Sequence, residues 1–224
     1  RGRTVQGVLN EKLKIFLKED IKPLGSGRTD TGVHALSQYA NFFTSAAMDT
    51  GLIAHKLNRM LPEDIVVLGC REVPLEYNAR RDAKRRSYRY LITERLSAVN
   101  KGLSWVLGRR LDIDTLNRAA KTVMKGRSFH NFCKVKSRKK ENSCNIFTSR
   151  WSRYGGFLRY EITADRFLHH MVRLLVGSMV EVSEGREDFS DFTKRFLNVD
   201  YKSKHMAPPD GLYLAGVEYE GIKL

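Results

Sequence analysis

The sequence has few cysteines and no long apolar run. Its three cysteines, Cys70, Cys133 and Cys144, are widely spaced, and no Cys-x-x-Cys pair occurs. This pattern excludes a disulfide framework and a zinc knuckle, and it is typical of a protein in a reducing cytosol. No stretch approaches the roughly 20 apolar residues of a membrane-spanning helix, and no signal-type segment follows Arg1. We therefore predict a globular cytoplasmic protein with no membrane partner.

Acidic residues are also scarce relative to basic ones. The 224 residues include 40 Lys and Arg against 25 Asp and Glu, which gives a formal charge of +15. Basic side chains cluster at residues 80–89 and again at 134–140. Such clusters neutralise phosphates and release counterions, so the charge predicts a nucleic acid as partner. Charge alone leaves open whether that partner is RNA or DNA, and whether the protein is an enzyme or a binding module.

Apolar spacing predicts both helices and strands along the chain. Helical periodicity marks residues 4–17, 52–61, 167–182, a segment after Asp112 or Asp114 and another around Phe189. Strand-like runs lie at residues 37–43, 65–68, 86–93, 144–151, 156–163 and 211–219. The two runs between 144 and 163 flank a Gly-Gly turn and form a predicted hairpin. This order favours an α+β fold with a largely antiparallel or mixed sheet.

A glycine-rich segment at residues 25–36 lies just ahead of a predicted strand. It reads Gly-Ser-Gly-Arg-Thr-Asp-Thr-Gly-Val-His-Ala-Leu. Glycines allow a sharp turn or a close approach to a ligand, but no Gly-Lys-Ser/Thr follows, so this is not a P-loop. Arg28 and Asp30 lie inside the segment, two residues apart. Either they form a pair that stiffens a turn, or the carboxylate has a chemical role.

The predicted helix at 167–182 is apolar on nearly all sides yet contains Arg173. A buried guanidinium needs a carboxylate partner, and Asp30 is the best candidate. A carboxylate held in this way stays ionised and oriented, which suits a nucleophile or a base. His169 and His170 precede Arg173, but neighbours on a helix point in different directions. We therefore interpret them as packing or hydrogen-bonding residues rather than as a metal pair.

Two tyrosines, Tyr88 and Tyr90, lie among arginines in the stretch Arg-Arg-Ser-Tyr-Arg-Tyr at residues 85–90. Aromatic rings beside basic side chains can stack on an exposed base next to phosphate contacts. Alternatively, both rings are core residues of a half-buried strand. The sequence leaves both readings open.

Residues 25–35 resemble the catalytic motif of the tRNA pseudouridine synthase A family. Further segments resemble that family in the same order and cover almost the whole chain. They are Thr-Val-Gln at 4–6, Asn-Ala-Arg at 78–80, Tyr-Arg-Tyr at 88–90, Ser-Phe-His-Asn-Phe at 128–132, Phe-Leu-His-His-Met-Val-Arg at 167–173 and Ala-Pro-Pro-Asp-Gly-Leu-Tyr-Leu at 207–214.

The resemblance implies two α+β halves, here residues 1–98 and 99–224, that share a mostly antiparallel mixed sheet with a basic central cleft. It implies a homodimer that converts uridine to pseudouridine at positions 38–40, in the anticodon arm of tRNA. That isomerisation involves no redox change and no phosphate transfer, so no metal or organic cofactor is expected. The family's opening Tyr-Asp-Gly-Thr segment does not precede Thr4, and we expect the sequence to be part of a longer gene product.

The resemblance also implies roles for individual residues. Asp30 falls on the catalytic aspartate, Tyr88 on the tyrosine that stacks on the target base, and Arg173 on the arginine that pairs with the aspartate. Three arginines are predicted to bind the substrate: Arg28, Arg80 and Arg86.

Two other functions compete with this one. The first is a tRNA-binding module without catalysis, which would keep only the basic cleft. The second is a metal-dependent nuclease with Asp30 as a ligand. The remaining acids are scattered without an Asp-x-Asp or His-x-Glu pattern, so the sequence ranks the nuclease low.

Overall fold

The computed structural model describes residues 2–134, 142–197, 201, 203 and 205–221. Its helices are α1 (Val5–Leu17), α2 (Thr50–Met60), α3 (Ile113–Lys125), α4 (Met171–Ser183) and α5 (Phe189–Lys194). Its strands are β1 (Leu24–Gly25), β2 (His34–Ala35), β3 (Ala40–Asn41), β4 (Ala83–Thr93), β5 (Trp105–Val106), β6 (Ile146–Tyr154), β7 (Phe157–Ala164) and β8 (Leu212–Tyr219). Within the described ranges, each helix is too short or too polar to cross a lipid bilayer.

Backbone contacts divide the chain into two compact units. The first unit comprises Arg1–Arg28 and Tyr39–Asp82, and the second comprises Thr29–Gln38 and Ala83–Leu224. The glycine-rich segment is therefore shared, since Arg28 belongs to the first unit and Asp30 to the second. The proposed division into halves at residues 98 and 99 stays a prediction. Apart from Lys134, the basic cluster at 134–140 lies outside the described residues.

The first unit contains α1 and α2, and their apolar faces contribute to one small core. The Thr4 side chain caps α1 by accepting a hydrogen bond from the Gly7 amide at 3.0 Å. Asp49 caps α2 in the same way through the amide of Leu52, at 2.9 Å. The core of this unit consists of Leu13, Leu17, Ile21, Ile53 and Leu57.

The apolar run at residues 65–68, predicted as a buried strand, is neither buried nor a strand. Val66 is 66% exposed and Leu68 is 82% exposed. The side-chain amide of Asn58 donates to the Val67 carbonyl at 2.8 Å and accepts from the Val67 amide at 2.7 Å. A helix side chain therefore satisfies both backbone polar groups of Val67, in the place of a partner strand. The predicted strand at 37–43 is similarly reduced to the two residues of β3.

The second unit is built on a mixed sheet with the strand order β2-β8-β4-β7-β6, and β5 lies beside β4. β2 pairs parallel with β8, and β5 with β4, whereas the β4, β6, β7 and β8 pairings are antiparallel. β6 and β7 form the predicted hairpin. Its turn residues Gly155 and Gly156 have φ angles of 57° and 82°, as tight hairpin turns require. The predicted α+β class is therefore confirmed.

Helix α4 lies at the centre of the second unit's core. Its residues from Met171 to Val182 are all buried, so the helix has no solvated face. Helix α3 contacts both α4 and β6. The strands contribute inward-facing side chains to the same core, namely Tyr90, Trp151, Leu158, Tyr160 and Ile162. Any charged group on α4 therefore needs a partner inside the protein.

Candidate active site

Asp30 lies in a tight turn that leads into β2. Its carbonyl accepts a hydrogen bond from the Val33 amide at 3.1 Å, and Gly32 has a φ of +83°. A Cβ at Gly32 would also lie 3.0 Å from Cγ of Pro209, so glycine is needed for conformation and for space. Beyond the turn, His34 Nε2 donates to the Gly102 carbonyl at 2.8 Å. The hydrogen bond from His34 to Gly102 therefore helps to hold the turn in place.

Arg173 projects from α4 and holds the Asp30 carboxylate. Its Nη1 donates to Asp30 Oδ2 at 2.7 Å, and its Nε donates to the carbonyl of Ala207 at 2.8 Å. Arg173 is only 8% exposed. The ion pair that the sequence predicted between these two residues is therefore confirmed, and the Ala207 contact fixes the plane of the guanidinium.

His169 and His170 lie in a turn that precedes α4, not on a helix. Met171 donates its amide hydrogen to the carbonyl of Leu168 at 3.1 Å, and His170 has a φ of 68°. These values describe a type II turn with a non-glycine residue at its strained third position. The prediction of a helix from residue 167 is therefore wrong for its first four residues.

The turn directs both imidazoles towards Asp30. His169 Nε2 lies 3.2 Å and His170 Nε2 lies 3.5 Å from Asp30 Oδ1, and the two ring centroids are 4.1 Å apart. The expectation that adjacent side chains point apart fails because it assumed helical geometry. Periodicity does not distinguish a turn from the first turn of a helix, so the sequence signalled these contacts only through their closeness to Arg173.

The environment of His170 disfavours its charged form. Burial lowers the pKa of His170 below its ordinary 6.5, although the nearby Asp30 charge acts in the opposite direction. The positive charges of Arg173 and Lys134 and the neighbouring imidazole of His169 lower this pKa further. His170 is therefore a neutral hydrogen-bonding group at neutral pH.

Tyr88 lies half-buried on β4, and its ring meets Phe167 edge-on with the centroids 5.0 Å apart. Burial raises the pKa of Tyr88 to about 12, with the Asp30 charge raising it and Arg86 lowering it. Tyr88 is therefore a neutral phenol within electrostatic reach of the carboxylate. Tyr90, by contrast, is fully buried and donates its hydroxyl to the Pro208 carbonyl at 2.8 Å, so it is a core residue.

The three predicted substrate-binding arginines have different settings. Arg86 is partly buried, and its Nη1 donates to the carbonyls of Ala83 and Asp165 at 2.8 and 2.9 Å. Arg28 and Arg80 belong to the first unit, and both are exposed there. The second unit thus contains Asp30, Arg173 and Tyr88. RNA binding by the three arginines stays a prediction.

Comparison with known proteins identifies the family. Residues 120–220 match the sequence profile described as tRNA pseudouridine synthase. The tRNA pseudouridine synthase A of Bacteroides thetaiotaomicron is 37% identical over 222 residues, which cover 97% of this chain and 82% of that protein. The enzyme of the same name from Chlorobium luteolum is 38% identical over 218 residues, 96% of this chain and 86% of the relative. A third, from Dictyoglomus thermophilum, is 37% identical over 222 residues, 97% of this chain and 90% of the relative.

The chain belongs to the tRNA pseudouridine synthase A family. This membership confirms the resemblance read from the sequence, and with it the enzyme class, an isomerase.

In this member of the tRNA pseudouridine synthase A family, the two oxygens of the Asp30 carboxylate have different neighbours. Oδ2 of Asp30 is held by Arg173, and Oδ1 faces the imidazoles of His169 and His170. An oriented carboxylate of this kind can act as a nucleophile or as a base. The imidazoles can donate hydrogen bonds to it or accept protons near it.

Proposed function

We propose that this family member converts uridine to pseudouridine at positions 38–40, in the anticodon arm of tRNA, with Asp30 as the catalytic aspartate. The observation that carries the proposal is the Asp30 carboxylate, which a buried guanidinium orients at a glycine-dependent turn. The relatives carry tRNA and pseudouridine in their names, and the net charge of +15 suits an RNA substrate.

The reaction breaks the N1–C1′ bond, turns the uracil and joins C5 to C1′. Attack of a carboxylate on C1′, its addition to C6 of the base and its removal of the 2′ proton all require an ionised carboxylate. Arg173 Nη1 lies 2.7 Å from Asp30 Oδ2 and orients the carboxylate for such a step. The isomerisation is neither a redox reaction nor a phosphate transfer, so this mechanism uses no metal and no organic cofactor.

A uridine inside a folded arm must leave its stack before the carboxylate can reach it, at a cost of a few kcal/mol. The ring of Tyr88 is the proposed platform for the extruded base. Packing against Phe167 fixes the ring's orientation, and its raised pKa keeps the phenol neutral beside Asp30. Arg28, Arg80 and Arg86 are the proposed phosphate-binding residues, with Arg28 closest in sequence to the catalytic turn.

The family resemblance supports further proposals about the assembled enzyme. We propose a cytoplasmic homodimer whose subunits each consist of halves 1–98 and 99–224. Light scattering should give twice the subunit mass. Limited proteolysis should cut first within residues 97–103, the segment that contains the boundary between the two proposed halves.

The position of the modified uridines is tested by chemical mapping. An unmodified tRNA transcript with uridines at positions 38–40 is incubated with the enzyme, and pseudouridines are located by carbodiimide adducts that stop primer extension. We expect stops only at those positions, and none in a transcript with cytidines there. Stops elsewhere in the tRNA would refute the anticodon-arm assignment, and tRNA binding without any stop would favour the non-catalytic module.

A further inference from the structure

Three metal-ligating side chains of mixed chemistry converge at the Asp30 turn. The ligand atoms of Asp30, His169 and His170 all lie within 4.8 Å of one another. The Asp30 Oδ1 atom lies 3.2 Å from His169 Nε2 and 3.5 Å from His170 Nε2. Tetrahedral zinc, with bonds of about 2.0–2.1 Å, holds its ligand atoms about 3.3 Å apart. The two distances from Asp30 Oδ1 to the imidazole nitrogens are therefore close to the spacing between ligand atoms in a tetrahedral zinc site.

We propose that Asp30, His169 and His170 form an inhibitory binding site for a transition-metal dication of the Zn²⁺ class. Metal binding stands on the geometry alone, whereas inhibition rests on the proposed catalytic function of Asp30. The site goes beyond the isomerase reaction, which uses no metal.

The turn before α4 creates this donor pair. Successive residues of a helix are rotated by about 100° from one another, so adjacent histidines on a helix would not share a ligand. The positive φ of His170 breaks that geometry and brings the two imidazoles to one side. His169 is also 44% exposed in its side chain, which leaves an entry path for the ion from solvent.

The donor set selects among metals. Two imidazole nitrogens and one carboxylate oxygen suit Zn²⁺, Co²⁺ or Ni²⁺, whereas Mg²⁺ and Ca²⁺ require about six or more oxygen ligands. Arg173 occupies Oδ2 of Asp30, so the carboxylate binds through Oδ1 only and the fourth position of the metal is open. The positive charges of Arg173 and Lys134 oppose a dication, and we therefore expect micromolar affinity.

A bound metal would take the carboxylate oxygen that the substrate needs. Oδ2 already accepts a hydrogen bond from Arg173, and a metal on Oδ1 would withdraw electron density from the carboxylate and stand between Oδ1 and the substrate, so Asp30 would be a poor nucleophile or base. Zn²⁺ should therefore inhibit turnover reversibly, and EDTA should restore it, while Mg²⁺ at the same concentration has no effect.

Binding is measured on the protein alone, by calorimetry with Zn²⁺ and by the visible absorption of Co²⁺, which is intense in tetrahedral sites. We expect one ion per chain. His169→Gln and His170→Asn should each weaken binding at least about tenfold. Asparagine is chosen at position 170 because it tolerates a positive φ. The control is His55→Gln, which removes an exposed histidine of α2 and should leave the affinity unchanged.

Affinity that is the same in wild type, His169→Gln and His170→Asn would overturn the site, as would the absence of any binding by wild type. If a histidine variant fails to fold, as judged by circular dichroism, Asp30→Asn supplies the same test through the third ligand. Turnover with and without Zn²⁺ then tests inhibition. Tight binding without inhibition would overturn the inhibitory role, whereas wild type inactive in EDTA would refute the proposed function and leave the metal titration valid.

Discussion

Replacing Arg173 with methionine should destabilise the protein as well as abolish its activity. Methionine keeps an unbranched chain that suits the apolar surroundings of α4, but it removes two hydrogen bonds, to Asp30 Oδ2 at 2.7 Å and to the Ala207 carbonyl at 2.8 Å. Breaking a buried ion pair from one side costs about 3–5 kcal/mol. Asp30 keeps two imidazole neighbours and its side chain is 18% exposed, so we expect a loss of about 3 kcal/mol in the free energy of unfolding.

Urea unfolding followed by tryptophan fluorescence measures this loss. Both tryptophans, Trp105 and Trp151, belong to the second unit, which also contains the ion pair. The control is Arg150→Met, because the Arg150 side chain is 64% exposed and its partner Glu161 keeps ion pairs with two other arginines. That variant should lose at most about 1 kcal/mol. Arg173→Met with a loss below about 1 kcal/mol and normal turnover would refute the assigned ion pair.

Three further results are expected. Tyr88→Phe should keep most of the turnover because the ring is retained, whereas Tyr88→Ala should lower kcat/KM by the equivalent of about 1–3 kcal/mol; equal activity of the two variants would count against stacking. Gly211→Ala should lower the free energy of unfolding by about 1–3 kcal/mol, because its Cβ would lie 2.6 Å from the Leu91 carbonyl oxygen. The control, Gly216→Ala, should be neutral or slightly stabilising, because a Cβ at position 216 would have no atom within 4 Å. The pKa of His170 is lowered from 6.5 in the folded state, so the unfolded chain binds more protons than the folded chain just below that pH. The free energy of unfolding should therefore fall as the pH falls below about 6.5. Urea titrations at several pH values should show a smaller fall for His170→Asn.

The Asp30–Arg173 ion pair could be predicted from sequence because burial of charge leaves few solutions. An all-apolar helix with one arginine requires a carboxylate, and a glycine-framed aspartate is the residue that can approach it. The cap of α1 at Thr4 and the Gly155-Gly156 turn were predictable for a different reason, because each satisfies a local requirement of backbone geometry.

Features that depend on one specific side-chain contact or on an unusual backbone angle could not be predicted. The run at 65–68 has the composition of a buried strand, but Asn58 bonds the backbone of Val67, and Val66 and Leu68 stay exposed. The approach of His169 and His170 to Asp30 depends on a positive φ at a non-glycine residue, which sequence patterns do not reveal. Hydrophobic periodicity continues through this turn into α4, so the pattern reads as one helix.

The measurement that tests the central claim most directly uses tRNA carrying tritium at uridine C5, since formation of pseudouridine releases that tritium. Wild type, Asp30→Asn and Asp188→Asn are compared in EDTA. Asp188 is the matched control because its side chain makes no capping hydrogen bond at α5 and the substitution removes the same charge. We expect release by wild type and Asp188→Asn but none by Asp30→Asn, with tRNA binding retained by all three. Release by Asp30→Asn at a rate near that of wild type would contradict the assignment of Asp30 as the catalytic residue.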